Sequence, residues 1–359
     1  MKLKLSEYRK IDKLSASDIK LFDKDRIKFY KYKILKEKRN DLNSNSIIIG
    51  TIVDYILSDC KGNLELFDAN FDEYFKLLTV EKKNTQMFFL ADELIKITFR
   101  DTNEEGICTT SYEERFKESF DNVQLEGNFK GKKYEDILKK FNESDAFIYF
   151  EECLDSKDKQ IVDEKLLNIA RNKSLNVLND ENIIYNIEIP GIENLGKTVI
   201  EFSFLDMDCK CEIDYLSINH NTKTVHVTEI KSSYDIEDAF EYTYLKLRYD
   251  LAAAFYIEGA KSFIKNYSIK NISDYEIVFN FLAVDTSPEN LRPLLYEFTP
   301  MDYLNTLNGY TLKSGKKYKG LVPLMEEIKW CMDKDIWNIS KEFYLNNSKG
   351  NLNINYDTK

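Results

Sequence analysis

The chain of 359 residues has few of the residues that loosen or interrupt a fold. It contains 5 prolines and 12 glycines, which leaves little room for long flexible linkers. No apolar run approaches the roughly 20 residues that a membrane-spanning helix needs, and residues 1–13 lack the uninterrupted apolar core of a signal peptide. We therefore expect a folded cytoplasmic protein without a membrane segment, built as one elaborated domain or two modest ones.

Histidines and clustered cysteines are also scarce. His220 lies in a predicted turn, and His226 has the side-chain parity opposite to that of Glu229 on the same predicted strand, so neither is expected to act as a general base. The six cysteines are scattered, and Cys209 and Cys211 lack a second close pair. Neither a disulfide framework nor a zinc or iron–sulfur site is expected.

Charge is distributed unevenly along the chain. The net charge is −11, yet residues 1–40 contain fourteen lysines and arginines against six acidic residues, a local charge of +8. A second basic patch surrounds Gly315 and comprises Lys313, Lys316, Lys317 and Lys319. Local patches can attract a polyanion to a protein of negative total charge, so the second patch is a candidate DNA contact. Solvated helix faces and a polar loop are the alternative interpretation.

Apolar periodicity indicates a helical part followed by a strand-rich part. Ser15 is predicted to cap a first helix, residues 47–57 to form a mostly apolar helix, and residues 61 to about 180 to be mainly helical. Helix is predicted again over 237–259 and from Tyr303 onwards. Strands are predicted over 183–189, 198–205, 210–218, 224–230 and 277–284. This order of elements predicts an α/β domain with a central mixed sheet.

Residues 209–233, CKCEIDYLSINHNTKTVHVTEIKSS, carry the strongest sign of chemistry. Asp214 lies on one predicted strand, while Glu229 and Lys231 lie two residues apart on the next strand and share a face. Two carboxylates and a lysine are the layout of a metal-dependent phosphodiesterase site, because oxygen ligands suit Mg²⁺ or Mn²⁺. Asp214 and Glu229 would bind the metal with the Ile230 carbonyl alongside, and Lys231 would orient water or stabilise charge. A surface hairpin with a salt-bridging Glu and Lys is the alternative.

Four sequence blocks lie in the order LSASDIKLF (14–22), IGTIVDYIL (49–57), CKCEID (209–214) and RYDLAAAFY (248–256). In this order they resemble the PD-(D/E)XK nuclease superfamily, and within it the RecE-like and RecB-like phage exonucleases. The resemblance covers about 1–60 and 183–260, and the helical middle matches only weakly. It implies a nuclease core formed by N-terminal helices in 1–60 and by a sheet and C-terminal helices in 181–359. Residues 61–180 would be a mainly helical insertion.

The chain departs from this family at three positions. Asp54 stands where a histidine ligand is usual; aspartate also suits Mg²⁺, so Asp54 is expected as a third ligand, with a helix carboxylate paired to a lysine as the alternative. Glu212 stands where an arginine is common, and it could add a ligand or repel phosphate. Ala252 replaces a glutamine four residues before Tyr256, which is retained as an accessory residue. If Asp54 points away from the site, Glu212 or Glu188 is expected to replace it.

The resemblance implies an Mg²⁺-dependent exonuclease that acts on double-stranded DNA ends in phage-type recombination or DNA processing. Such enzymes work beside a single-strand annealing protein and are often ring-shaped homo-oligomers. An endonuclease with the same site is the nearest alternative, and a catalytically impaired nuclease fold that binds DNA or a protein partner is another. In the folded chain, the carboxylates of Asp54, Asp214 and Glu229 are expected to converge on one ion position near the Lys231 ammonium.

Overall fold

A five-stranded mixed β-sheet with helices on both faces lies at the centre of the chain. The structure is a computed structural model, and it describes residues 8, 10–37, 44–103, 106–156, 159–187, 189–266, 274–287 and 292–349. Its sequence of helices and strands confirms the predicted α/β class with a central mixed sheet.

The first helix begins where the sequence supplies a cap. Ser15 caps helix α1 (Ala16–Lys24), and a capping box with Asp18 satisfies amide groups that the first turn leaves unpaired, which confirms the predicted start. Helix α2 (Arg26–Phe29) follows, and it continues as a π-helical turn over Tyr30–Ile34.

The predicted apolar helix at 47–57 is confirmed, but its last turn is not α-helical. Helix α3 (Asn45–Asp54) passes into a π-helical turn (Tyr55–Asp59), in which the amide of Cys60 donates a 2.9 Å hydrogen bond to the carbonyl of Tyr55. Because hydrogen bonds in such a turn span five residues, positions five apart lie above one another.

The middle of the chain is mainly helical, as predicted, and part of it has a core of its own. Its helices are α4 (Leu64–Tyr74), α5 (Gln86–Arg100), α6 (Tyr112–Leu125), α7 (Tyr134–Asn142), α8 (Asp145–Asp155) and α9 (Glu164–Leu178). Two short strands, β1 (Phe75–Leu77) and β2 (Gln160–Val162), pair in parallel. Helices α5 to α8 bury Phe88, Phe116 and Phe141 in one cluster, separate from the clusters on the faces of the sheet.

The prediction of a strand at 183–189 is wrong, because helix α10 (Glu181–Ile187) occupies most of this segment. Asp180 precedes the helix, and its Oδ1 accepts a 3.4 Å hydrogen bond from the amide of Ile183. Ile183 and Ile187 are both buried and lie four residues apart, which is the spacing of one helical face. This spacing and the preceding aspartate outweigh the β-branched composition that favoured a strand.

The central sheet has the strand order β3-β4-β5-β6-β7. Its strands are β3 (Glu193–Phe204), β4 (Met207–Asn219), β5 (Thr224–Ser233), β6 (Glu276–Asp285) and β7 (Leu294–Phe298). Only the β5–β6 pair is parallel, and the other three pairs are antiparallel. The strands predicted at 198–205, 210–218, 224–230 and 277–284 are confirmed, whereas the sequence did not predict β7.

The long helix predicted over 237–259 is two helices, α11 (Phe240–Lys246) and α12 (Tyr249–Asn266). Arg248 separates them with a left-handed backbone, φ 52°, which no helix continues through. The described region from Tyr303 onwards is largely helical, as predicted. Its elements are α13 (Pro300–Asn308), the hairpin strands β8 (Gly309–Thr311) and β9 (Lys317–Lys319), α14 (Leu321–Lys334) and α15 (Lys341–Leu345).

Each face of the sheet carries its own hydrophobic core. On one face, apolar residues of α1, α12 and α14 pack against β3 to β7, and on the other face α3 and α9 pack against β5 and β6. On the second face, α3 approaches β5 closely at Gly50, where a Cβ atom would lie 2.2 Å from the Ser232 Oγ. Among the described helices, none combines the length and apolar character that a bilayer crossing requires.

Candidate functional site

Strands β4 and β5 separate beside Asp214. The pairing of Tyr215 with Thr228 is the last rung of their ladder, and beyond it β4 pairs with β3 while β5 pairs with β6. The Asp214 carboxylate bridges the gap, because its Oδ2 accepts a 2.8 Å hydrogen bond from the backbone amide of Ile230. The fork thus holds the first predicted carboxylate against the strand that carries the other two predicted residues.

An irregularity in the β3–β4 ladder coincides with this fork. Gly196 lies opposite Leu216 and Thr198 lies opposite Ile213, so β4 has one more residue than β3 between these pairs. A bulge of this kind bends a strand and redirects its side chains, and bulges are frequent beside active sites. The residues of β4 within the bulge are Asp214 and Tyr215, where β4 and β5 part.

Glu229 and Lys231 project from the same face of β5, as their spacing predicted. The Lys231 Nζ lies 2.5 Å from the Glu229 Oε1 and 5.5 Å from the centre of the Tyr249 ring. Burial lowers the pKa of Lys231, but the carboxylates of Glu229 and Asp214 raise it by more, so the ammonium stays protonated at neutral pH. The second oxygen, Glu229 Oε2, is buried and has no hydrogen-bond partner in the described part of the chain.

Asp214 lies near other carboxylates, those of Glu229 and Asp54. Burial raises the pKa of its carboxyl well above the usual range, and the neighbouring carboxylates of Glu229 and Asp54 raise it further. The ammonium groups of Lys197 and Lys231 act in the opposite direction. The structure therefore brings Asp54, Asp214 and Glu229 into one electrostatic neighbourhood, although the three come from different elements.

Asp54 is held by Lys197, a residue that the sequence did not predict as part of the site. The Lys197 Nζ, on β3, lies 3.0 Å from the Asp54 Oδ2 and 2.7 Å from the Asp59 Oδ2. The hydroxyl of Ser58 donates a 2.6 Å hydrogen bond to the Asp54 Oδ1. The π-helical turn puts the two aspartates, five residues apart, on one side of the helix. No local pattern marks Lys197, because its position depends on how β3 lies beside α3.

Of the three accessory residues, the structure describes Glu212 and Tyr256, and both lie near the carboxylates. Burial, with the charges of Asp54, Asp59 and Glu229, raises the pKa of Glu212 to about 7 against the opposing effect of Lys197, so Glu212 belongs to the same group of carboxylates. Tyr256, on α12, is beside it: burial and then the charge of Glu229 raise the pKa of the Tyr256 hydroxyl well above its usual range. Glu188 lies outside the described residues.

The predicted convergence of three carboxylates on one ion position is not present as a closed cluster. In the described ranges, no group of three or more His, Cys, Asp or Glu side chains is arranged so that it could hold a metal ion as it stands. Each expected ligand already has a partner: Asp54 binds Lys197, Asp214 binds the Ile230 amide, and Glu229 binds Lys231 through one oxygen.

The chemistry of these groups nevertheless fits a hard divalent cation. Five carboxylates interact here, and only two ammonium groups, those of Lys197 and Lys231, lie among them. This leaves an excess of negative charge. The carboxylates are those of Asp54, Asp59, Glu212, Asp214 and Glu229. Buried charge of one sign is unfavourable without a counter-ion. Oxygen donors suit Mg²⁺ or Mn²⁺, and the unpartnered Glu229 Oε2 supplies a buried oxygen for such an ion.

The two histidines are not part of this group. His220, in the turn between β4 and β5, contacts Tyr275 at 3.1 Å and Glu193 at 3.0 Å. His226 lies on β5, and burial lowers the pKa of its imidazole. The contacts of His220 are those of a turn residue.

The predicted basic patch lies on the β8–β9 hairpin. Lys313, Lys316 and Lys317 are exposed there, and the Lys316 ammonium is 4.7 Å from the centre of the Tyr318 ring. Lys319 instead makes a 2.5 Å ion pair with the buried Glu327 of α14. Three of the four predicted lysines are therefore available to a partner, and the fourth fastens the hairpin to α14.

Neither a scan of protein-family models nor a search of curated proteins found a match to this chain.

Proposed function

We propose that the chain is a metal-dependent deoxyribonuclease built on a PD-(D/E)XK-type core. The observation that carries this proposal is the fork between β4 and β5, where Asp214 meets the strand of Glu229 and Lys231. The buried, unpartnered Glu229 Oε2 supports it, because such an oxygen is costly unless a ligand satisfies it. A surface hairpin with a simple Glu–Lys pair would not need three carboxylates close together.

Asp214 and Glu229 would hold an Mg²⁺ or Mn²⁺ ion, with the Ile230 carbonyl beside them. When bound, the cation supplies the positive charge that makes a water molecule nucleophilic at neutral pH and stabilises the charge that develops on the phosphate. Asp54 is a third donor only after it leaves Lys197, since both of its oxygens have partners in the structure. Glu212 provides an alternative donor within the same group of charges.

Lys231 would act on the substrate rather than on the ion. Its ammonium is protonated, and its side chain is only 17% exposed and lies on the strand face shared with Glu229. A fixed ammonium in a site from which water is partly excluded stabilises negative charge on a phosphate oxygen more strongly than water does. Its present bond to the Glu229 Oε1 would be exchanged for a phosphate oxygen when DNA binds.

Within the nuclease class, we favour an exonuclease at double-stranded DNA ends, as the resemblance to RecE-like and RecB-like enzymes implies. A single-strand annealing protein and other copies of the chain are the proposed partners. The exposed lysines of the β8–β9 hairpin, Lys313, Lys316 and Lys317, are the proposed DNA contacts. An endonuclease with the same site is the nearest alternative. A catalytically impaired fold is the other, because Glu212 adds negative charge near a phosphate site.

The test incubates linear and covalently closed circular duplex DNA with the purified chain in Mg²⁺ or Mn²⁺. Asp214→Asn and Lys231→Met are compared with wild type, and Asp333→Asn, which alters an exposed carboxylate on α14, is the matched control. We expect wild type and Asp333→Asn to degrade the linear DNA and both site variants to lose at least about 100-fold in rate.

Cleavage of the closed circle would favour the endonuclease. Absence of cleavage with either metal would contradict the enzyme proposal. Cleavage that survives both Asp214→Asn and Lys231→Met would contradict the assignment of the site.

A further inference from the structure

Two lysines from distant parts of the chain lie over one tyrosine ring. The Lys231 ammonium of β5 is 5.5 Å from the centre of the Tyr249 ring, and the Lys20 ammonium of α1 is 5.6 Å from the same centre. The contact between α1 and α12 that creates this arrangement also pairs Asp23 of α1 with Arg248. A cation–π contact with tyrosine orients an ammonium without neutralising it.

Lys20 differs from Lys231 because no anionic side chain among the described residues pairs with it. In the described part of the chain, the Lys20 ammonium has neither a hydrogen-bond acceptor nor an ion-pair partner, although its residue is partly buried. Other lysines with little exposure are paired: Lys173 contacts Asp285 at 3.3 Å, and Lys197 contacts Asp59 at 2.7 Å. An unpaired, partly desolvated ammonium in a chain of net charge −11 is unfavourable unless an anion binds it.

The electrostatics support the same conclusion. Burial and the nearby charge of Lys231 lower the pKa of Lys20 to about 8, against the opposing charges of Glu229 and Asp250. At neutral pH the Lys20 ammonium is therefore mostly protonated and is repelled by Lys231. An anion bound between the two ammonium groups would remove this repulsion.

Building on the proposed nuclease function, we infer that Lys20 binds a phosphate group of the DNA substrate next to the phosphate that Lys231 contacts. The nucleic-acid backbone presents phosphates in succession, so two lysines that contact one ring are suited to successive groups of a single strand. Lys20 would be a positioning residue: it would hold the strand, while Lys231 acts at the reacting phosphate.

The test measures binding of a fluorescent linear duplex in EDTA, where cleavage does not interfere, as a function of salt. Duplexes with a 5′-phosphate and with a 5′-hydroxyl are both used. Lys20→Met removes the charge and keeps the chain length, Lys20→Arg restores a charge, and Lys24→Met on the exposed side of α1 is the matched control. We expect Lys20→Met to weaken binding about tenfold and to reduce the log–log salt slope by about 0.9, and Lys20→Arg to recover much of the loss.

Equal losses for both duplexes would assign Lys20 to an internal phosphodiester, and a loss confined to the 5′-phosphorylated duplex would assign it to the terminal phosphate. Lys20→Met binding both duplexes within twofold of wild type, with an unchanged salt slope, would overturn the inference. Wild type that binds DNA but does not cleave it with metal would contradict the nuclease proposal alone. Wild type that does not bind DNA would contradict both.

Discussion

Lys197 supplies a positive charge within the acidic centre, defined as the carboxylates of Asp54, Asp59, Glu212, Asp214 and Glu229. Its side chain is 10% exposed and lies between Asp54 and Asp59. Burial lowers the pKa of Lys197, but the charges of Asp54 and Asp214 raise it well above the usual range, so the ammonium is permanent at physiological pH. A divalent cation bound at the proposed site would compete with Lys197 for Asp54.

Replacing Lys197 with methionine should make the stability of the folded chain depend on bound metal. In EDTA, we expect Lys197→Met to lower the free energy of unfolding by about 1–3 kcal/mol, because Asp54 and Asp59, each about one-third exposed, lose their counter-ion. Mn²⁺ should restore more stability to this variant than to wild type, since the ion gains Asp54. Urea denaturation with EDTA or Mn²⁺ measures both effects.

Lys165→Met, which changes an exposed lysine on α9, serves as the control. A Lys197→Met variant as stable as wild type in EDTA, or one that Mn²⁺ stabilises no more than wild type, would show that Lys197 and the metal do not share a ligand.

Lys20 should reduce the stability of the DNA-free protein at neutral pH. Its pKa of about 8 is below the 10.5 of an unperturbed lysine, so between pH 8 and 10.5 the unfolded chain binds more protons and this group adds stability as pH rises. Lys20→Met should therefore be more stable than wild type by about 1–3 kcal/mol at pH 7, and the difference should shrink towards pH 10.5. Urea denaturation at pH 7 and pH 10 tests this, and a variant less stable than wild type at pH 7 would contradict it.

The residues of the candidate site fall into two groups. Those close together in the sequence could be placed from local spacing, and those brought in by tertiary packing could not. The placement of Asp214 beside Glu229 and Lys231 could be predicted because all three lie on two strands joined by a short turn, where alternation fixes which side chains share a face. Lys197 and Lys20 could not be predicted, because the β3 register and the packing of α1 on α12 bring them to the site. Asp54 was predicted as a ligand, but the structure pairs it with a lysine, the alternative interpretation.

At the scale of elements, the contact between α3 and β5 fixes the position of Asp54. Gly50 lies one turn before Asp54, and a Cβ atom on Gly50 would lie 2.2 Å from the Ser232 Oγ and 3.2 Å from the Ser232 Cβ. Glycine at this position lets the helix lie directly on the strand next to Lys231. The group that approaches Gly50 is the Ser232 side chain.

Substituting Gly50 should move α3 away from the sheet. In an open helix Gly→Ala adds up to about 1 kcal/mol of stability, whereas overpacking here should give a net loss of about 1–3 kcal/mol. We expect Gly50→Ala to destabilise the chain, and Ser232→Ala, nearly neutral alone, to recover part of the loss when the two are combined. Thermal unfolding of both single variants and the double variant measures this coupling; a stabilised Gly50→Ala variant would mean that α3 does not contact β5 at this position.

Elements were predicted where one periodicity dominated the sequence, and were missed where two competed. The alternation in β4 and β5 left little ambiguity, and both strands are confirmed. Residues 183–187 combine β-branched side chains with buried positions four apart, and the helical spacing prevailed. The break at Arg248 has no strong sequence signal, because its left-handed backbone is fixed by contacts with Asp23 and Asp250.

At the scale of the whole molecule, the chain combines a sheet that carries the candidate site with a group of helices that has its own core. The separate core of α5 to α8 explains why the middle of the sequence has helical periodicity without any of the site's motifs. The class of the fold and the helical middle could be predicted from the order of periodic segments. The point at which β4 and β5 part could not, because it coincides with a bulge in the β3–β4 ladder that no local pattern marks.

The central claim is that this fork is a divalent-metal site, and Mn²⁺ binding to the intact chain tests it most directly. Electron paramagnetic resonance would follow the titration of Mn²⁺ into wild type and Asp214→Asn, whose amide oxygen can still accept the bond from the Ile230 amide. The account predicts saturable Mn²⁺ binding to wild type and at least about tenfold weaker binding to Asp214→Asn, with unchanged circular dichroism. Wild type that binds no Mn²⁺, or Asp214→Asn that binds it as tightly as wild type, would contradict the account.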